Sequence, residues 1–339
     1  MYSLASMALR EHASVHALQV TLVLKALQMA GVRQREVSEW MQDWTWPSWA
    51  PGASKVFEKK VDLAKDKFKC SAQEALATYP VFHEFLVSLE SSRQTPEVKA
   101  ARECFTLLAK VLDALCMLGN TQALQGAILA HLTCFKRTYG TAHLPPKAHY
   151  AAHLPLHIHN QGLLLSCFVH ERRHRMVKRY GDAMCTGVRG VEKAILEETC
   201  WNHIQQLEGW RQKTLQLVNP KPAPDHVASD FAASTGLSYG HLFWSKKVVL
   251  QGSSRHVAAN DVIMVGIHGT ARVTHVLFHV NHVGAIYTYG RLWAPIETSQ
   301  KHWRVTRDPP VWLPASAIDC VCICRILNEE LATVLPVRR

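Results

Sequence analysis

The sequence lacks any apolar run that approaches the roughly 20 residues a helix needs to cross a bilayer. It also lacks the uninterrupted apolar stretch of a signal peptide, because Arg10, Glu11 and His12 break its first helical pattern. We therefore expect no membrane span and a nuclear or cytoplasmic location. Acidic residues are few, since 27 Asp and Glu stand against 38 Lys and Arg, which gives a net charge of +11. This imbalance favours a polyanionic partner such as DNA or RNA.

The ten cysteines include no C-x-x-C pair, which is the usual spacing of a structural zinc site. Cys320, Cys322 and Cys324 alternate with Val321 and Ile323, which is the spacing of a strand. The alternation places all three thiols on one face. We expect that face to lie in the core as a set of small apolar side chains, and we expect no bound cofactor.

Apolar residues recur at three- and four-residue steps through residues 1–215, which predicts a helical body. One stripe runs from Val98 to Leu115, and another from Phe57 to Phe68. Between these stripes, Ser71 and Glu74 have the spacing of a capping box that opens a helix. Residues 40–51 are rich in Trp and Pro, and we expect them to pack as the anchors of a loop, with a platform for stacking bases as the alternative.

Residues 216–240 are predicted to be a stiff, extended linker, because prolines stand at alternate positions from Pro220 to Pro224. Beyond it, in residues 241–339, apolar residues recur at every second position, which is the spacing of a strand. About five such short strands predict a small all-β domain that resembles SH3-like or BAH-like barrels. The predicted fold class is therefore α+β. Six aromatic residues of this domain are candidates for a ligand pocket, with core packing as the alternative: Trp244, Phe278, Tyr287, Tyr289, Trp293 and Trp303.

Positive charge is concentrated in residues 136–193, which hold ten basic and three acidic side chains, a net charge of +7. Arg172, Arg175 and Arg179 would share one face of a helix and contact successive phosphates. A solvated helix face is the alternative. The candidate nucleic-acid-binding residues are Lys147, Arg172, Arg173, Arg175, Lys178 and Arg179.

The run from His170 to His174 matches the H-E-x-x-H pattern of zinc hydrolases, in which two His bind zinc and the Glu activates water. The two middle positions are Arg172 and Arg173, and positive charge beside a zinc ion is unfavourable. We therefore expect no tight zinc binding at this motif.

His149, His153 and His157 recur at four-residue steps and would form a stripe along a helix. Pro155 lies between the last two, and we expect it to interrupt that helix. We therefore interpret these histidines as packed or solvent-exposed side chains in preference to metal ligands.

The run from Pro146 to Pro155, PKAHYAAHLP, resembles the K-x-H-Y-x-x-H-L-P element of CACTA-type transposases and related transposon-derived proteins. Gly162, Phe168 and the Glu171-Arg172 pair follow in the order found in that group. The likeness covers residues 135–215 and extends to the strand predicted at Asn260–Val265.

The resemblance implies an RNase H-like nuclease, in which two Asp and one Glu hold two Mg²⁺ ions, and it makes Glu171 the third carboxylate. The two Asp should lie upstream on strands. Asp43, Asp62, Asp66 and Asp113 lie in no predicted strand, so we expect an incomplete site, no Mg²⁺ and no catalysis. The predicted function is transposon-derived nucleic-acid binding, with a protein-interaction module without ligand and a zinc hydrolase as the alternatives.

Overall fold

The structure is a computed structural model, and it divides the chain into two compact units. The helical unit comprises the described residues between 4 and 161 except 44–51, and the β unit comprises 44–51 and the described residues between 197 and 337. The predicted α+β class, with helices first and strands later, is confirmed. No described helix has both the length and the apolar character needed to cross a membrane. The described residues are 4–117, 121–144, 146–161, 197, 200–201, 215–237, 241–250, 256–267, 269–296 and 299–337.

The helical unit is built mainly from long helices. The first, α1, packs against α4, α5 and α7, and α6 packs between α5 and α7. The helices are α1 (Leu4–Met29), α2 (Gln34–Gln42), α3 (Val56–Lys59), α4 (Ala72–Ser88), α5 (Pro96–Met117), α6 (Thr121–Tyr139) and α7 (Pro146–Gln161).

The apolar stripe of α5 is where the sequence prediction works best. All six predicted positions are at most 2% exposed: Val98, Ala101, Phe105, Leu108, Leu112 and Leu115. Thr95 opens this helix, and its Oγ1 accepts a hydrogen bond from the backbone N of Val98 at 3.3 Å. The capping box at α4 is also confirmed, since Ser71 Oγ accepts from Glu74 N and Glu74 Oε2 accepts from Ser71 N.

The stripe predicted from Phe57 to Phe68 is not one helix, and this prediction is wrong. Helix α3 ends at Lys59, and the chain then forms an antiparallel pair of short strands, β1 (Val61–Asp62) and β2 (Lys67–Phe68). Asp66 closes the turn with a left-handed backbone, φ +51°. The side chain of Phe68 turns inward against Phe57, with ring centroids 5.3 Å apart, so the pairing buries the two aromatic residues of the stripe and leaves Ala64 exposed.

A histidine lies in the core of this unit. His16 of α1 is 1% exposed and packs between Phe68 and Phe105, at centroid distances of 6.2 and 5.9 Å. Within the described part of the chain, neither of its ring nitrogens has a hydrogen-bond partner. Burial lowers the pKa of His16 to about 3, so its ring is neutral in the folded protein. One turn further, Gln19 is also buried and bonds His131 of α6 at 2.8 Å.

The β unit contains an antiparallel sheet whose pairings return to their starting strand. The circuit runs β8–β9–β10–β11–β14–β13 and back to β8, and we call these six strands the ring. Whether the ring corresponds to an SH3-like or BAH-like barrel stays a prediction. Its strands are β8 (Val262–Ile267), β9 (Thr270–His282), β10 (Ala285–Ile296), β11 (Ser299–Arg304), β13 (Ile318–Asn328) and β14 (Leu331–Val337).

Further strands extend or flank the ring. Strand β12 (Val311–Pro314) pairs with β10, β5 (Phe243–Ser245) pairs with β9, and β4 (Lys221–Pro222) pairs with β5. A separate sheet has the order β3–β6–β7. Its strands are β3 (Leu215–Leu217), β6 (Lys247–Leu250) and β7 (His256–Ala258).

The predicted cysteine face lies inside the ring, as expected. Cys320, Cys322 and Cys324 are 8%, 2% and 3% exposed, and they share one core cluster with Trp293 and Trp303. Each of the six ring strands contributes a side chain to this cluster. Burial raises the pKa of the Cys324 thiol to about 11, and a hydrogen bond with Cys320 together with burial raises the pKa of the Cys322 thiol.

A glycine is required where the long β9–β10 hairpin separates into two parts. The register shifts between Tyr289 and Gly290, so that one part pairs with ring strands and the other with β5 and β12. A Cβ at Gly290 would lie 2.5 Å from Thr274 Cγ2 and 2.8 Å from His275 O. Only glycine avoids that clash at this bulge.

The segment predicted as an extended linker, 216–240, is folded into the β unit, and the prediction is wrong for its described part. It contributes part of β3, all of β4 and a helix, α8 (Asp225–Thr235), which the left-handed Gly236 ends. Phe231 of α8 is fully buried and packs edge-on against Tyr287 and Trp312 at 5.2 and 5.1 Å. The alternating prolines therefore shape the entry to a helix instead of spacing two domains.

A segment from early in the chain belongs to the β unit. Residues 44–51, here called the strap, are the second part of the predicted Trp/Pro-rich loop, whose first residues, 40–42, lie instead on α2. Trp44 is 4% exposed. Thr45 exchanges two backbone hydrogen bonds with Cys324. Ser48 donates to Asp261 twice, from its N to Oδ1 and from its Oγ to Oδ2, both at 2.8 Å. Asp261 is 4% exposed, and its Oδ2 also accepts from Ala258 N at 2.8 Å.

Candidate nucleic-acid interface

The K-x-H-Y-x-x-H-L-P element forms helix α7, which is continuous through Pro155. The expected interruption at Pro155 is therefore wrong. The ring of Pro155 is buried, and its neighbours Ala151 and Leu154 pack in one cluster with side chains of α5 and α6. This packing offsets the roughly 3 kcal/mol that an interior proline costs a helix.

The outward face of α7 carries His153 of the motif and the flanking His159. His153 and His159 are exposed, as is Leu156, while Ala151 and Leu154 face the core. Lys147 and His149 lie in the first turn of the same helix, and position 149 comes one turn before His153. The motif is thus a helix that is anchored on one side and accessible on the other.

The remaining predicted site residues lie outside the described residues. They are the possible catalytic Glu171, the weak metal candidates His170 and His174, and the basic residues Arg172, Arg173, Arg175, Lys178 and Arg179. Their assigned roles stay predictions.

The four upstream aspartates do not come together as a metal site would require. Asp62 lies on β1 and pairs with Lys65 at 3.3 Å, and Asp66 pairs with Lys25. Asp113 on α5 accepts a hydrogen bond from Tyr79 at 2.7 Å, and Asp43 is the C-cap of α2. Among the residues that the structure describes, no three His, Cys, Asp or Glu side chains are grouped to hold a metal ion.

The six aromatic residues proposed as a pocket fall into two separate groups. Trp293 and Trp303 lie inside the ring with the cysteines. Trp244, Phe278, Tyr287 and Tyr289 lie on the outer face of the sheet, beneath α8 and beside Trp312.

The outer group is packed on itself. The rings of Phe278, Tyr289 and Trp312 contact one another at centroid distances of 4.4 to 5.7 Å. Trp312 Nε1 donates to Asp230 Oδ2 of α8 at 2.9 Å. These contacts join the aromatic residues and α8 in a secondary core in which the aromatic side chains are half-buried. Their role as a ligand pocket stays a prediction.

Sequence reasoning missed a basic surface in the helical unit, on residues 55–69. This segment holds six lysines and three acids, a net charge of +3: Lys55, Lys59, Lys60, Lys65, Lys67 and Lys69 against Glu58, Asp62 and Asp66. The charge run was visible in the sequence, but the helical interpretation of Phe57–Phe68 distributed these lysines around a helix. The strand pair instead brings Lys60 and Lys69 opposite each other, where Lys69 N donates to Lys60 O at 3.0 Å.

Basic groups also end α6, immediately before the predicted basic segment continues. Arg137 pairs with Glu103 of α5 at 2.9 Å, whereas Lys136 is exposed.

No family model, no curated protein and no solved structure matches this chain, so the resemblance to CACTA-type transposases stays a prediction.

Proposed function

We propose that this protein binds nucleic acid through sequence-independent contacts to phosphates, as a transposon-derived binder with an incomplete catalytic site. The observation that carries the proposal is the concentration of charge: residues 136–193 are about one sixth of the chain and hold a net +7 of its total +11. A polyanion releases its condensed counterions when such a segment neutralises its phosphates, and this release supplies most of non-specific affinity.

The described residues at the start of this segment support the proposal by their placement. Lys136 is exposed at the end of α6, and α7 follows with one face buried on α5 and α6. The side chains of His153 and His159 are exposed on the opposite face of α7. A rigid helix thus leads into residues 162–196, which hold most of the predicted basic contacts.

The test is binding of the full chain to fluorescent DNA duplexes of two unrelated sequences, measured by anisotropy over a series of salt concentrations. We expect equal affinity for both sequences, because phosphate contacts carry no base information. The triple variant Arg172→Gln, Arg175→Gln and Arg179→Gln should flatten the log–log salt slope by about 2.7, at about 0.9 for each lost contact.

A matched control removes three positive charges from exposed positions elsewhere, Lys99→Gln, Lys110→Gln and Arg304→Gln. It should leave the slope nearly unchanged. Equal effects of the two triple variants would mean that only total charge matters. Absence of binding by the intact chain at low salt would remove the nucleic-acid function and favour the protein-interaction alternative.

A further inference from the structure

The lysines of residues 55–69 are held outward by the way this segment folds. Side chains alternate across a strand, so the inward Phe68, 7% exposed, forces its neighbours Lys67 and Lys69 to the outer face. Two residues along a strand span roughly 6.7 Å. Lys55 and Lys59 are one helical turn apart, on the 3₁₀ turn at 53–55 and on α3, and both are also exposed.

Only part of this charge is neutralised within the described part of the molecule. Lys60 Nζ bonds both carboxylate oxygens of Glu74, at 2.6 and 2.8 Å, and Lys65 pairs with Asp62. Among the residues the structure describes, the other four lysines have no ion-pair partner: Lys55, Lys59, Lys67 and Lys69.

The cross-strand neighbours leave these ammonium groups accessible. Asp62 lies across from Lys67 but forms its ion pair with Lys65, and Lys60, which lies across from Lys69, is paired with Glu74. An anion above the outer face would satisfy the exposed ammonium groups.

We propose that this lysine face, formed by Lys55, Lys59, Lys67 and Lys69, is a second phosphate-binding surface for the nucleic acid. The inference rests on the proposed function and extends it, because it adds residues 55–69 to residues 136–193 as contacts for the nucleic acid. Lysine ammonium groups bind phosphate as compact point charges. The aromatic side chains of the segment, Phe57 and Phe68, are buried and cannot stack on bases, so the surface reads the nucleic-acid backbone and no base.

The experiment compares two double variants of the full chain on the same DNA duplex. Lys67→Gln with Lys69→Gln should flatten the log–log salt slope by about 1.8, at about 0.9 for each contact. Lys99→Gln with Lys110→Gln removes the same charge from exposed positions on α5 and should leave the slope unchanged. Because all four positions are exposed, we expect native circular-dichroism spectra, and Lys67→Arg with Lys69→Arg should keep the original slope.

Three outcomes would overturn the inference while the proposed function stands. The first two are an unchanged salt slope in the Lys67→Gln, Lys69→Gln variant and an equal change of slope in both double variants. The third is that the Lys67→Gln, Lys69→Gln variant no longer binds anionic phospholipid vesicles but still binds DNA as the wild type does. The last would assign the lysine face to a membrane surface. Failure of the intact chain to bind DNA at all would instead overturn the proposed function.

Discussion

Mildly acidic pH should weaken the helical unit through one residue, His16. Its folded-state pKa is lowered to about 3 by burial, against about 6.5 in the unfolded chain. A lowered pKa in a histidine means that the unfolded state takes up the proton first, so stability is lost as pH falls below 6.5 and continues to fall until about pH 3. At about pH 5 the loss is roughly 2 kcal/mol, from about 1.5 pKa units at 1.36 kcal/mol per unit.

The assay is urea unfolding of the wild type and of His16→Leu at about pH 8 and pH 5, followed by far-ultraviolet circular dichroism, to which the helices contribute most. Leucine has a similar volume and removes two polar nitrogens that have no partner among the described residues, so the variant should be as stable as the wild type at about pH 8. Between the two pH values the wild type should lose about 2 kcal/mol more than the variant.

A comparison with His143→Leu isolates the effect of burial, because His143 is exposed on the same unit. That variant should follow the wild type at both pH values. Equal losses in the wild type and in His16→Leu would refute the assignment of the acid sensitivity to the buried ring.

Three further predictions concern the β unit. Asp261→Ala should lower the free energy of unfolding of the β unit by about 2–4 kcal/mol, because the backbone N atoms of Ser48 and Ala258 lose their acceptor. Urea unfolding followed by tryptophan fluorescence measures this change, and Asp308→Ala, at an exposed position, is the control. Gly290→Ala should lower the free energy of unfolding by about 1–3 kcal/mol through overpacking. Gly266→Ala, whose Cβ would meet no atom within 4 Å, should lower it by less in the same assay. Cys322 and Cys324 should resist iodoacetamide in the native protein while the exposed Cys200 reacts, and peptide mapping that shows equal labelling without urea would contradict their placement inside the ring.

Local periodicity predicted the elements whose neighbours lie close in sequence. The stripe of α5 and the capping box of α4 are examples, because one helix face and one turn contain all the residues that matter. The spacing from Phe57 to Phe68 misled, since steps of four and three fit a helix as well as they fit a short strand pair. The left-handed turn at Asp66 decides between the two, and nothing in its residue type demands that conformation.

Long-range packing explains the other differences. An interior proline predicts the end of a helix from local rules, but the burial of Ala151 and Leu154 on α5 and α6 keeps α7 continuous. The prolines of 220–224 likewise gave no sign of the helix that follows, which is held by contacts of Phe231 with Tyr287 and Trp312. For the candidate interface, charge composition indicated where phosphates would bind, while the lysine face became visible only when the strand pair was known.

The strap has a consequence for the order in which this protein matures. Its serine emerges from the ribosome 213 residues before the aspartate that receives it. Closing so long a loop is a late and entropically costly step, so the β unit finishes folding only after Asp261 and the ring strands beyond it have been synthesised. Any gene fusion or truncation that begins after residue 51 would therefore produce strands that lack their earliest-made partner, and a carboxylate with one hydrogen-bond donor in place of three.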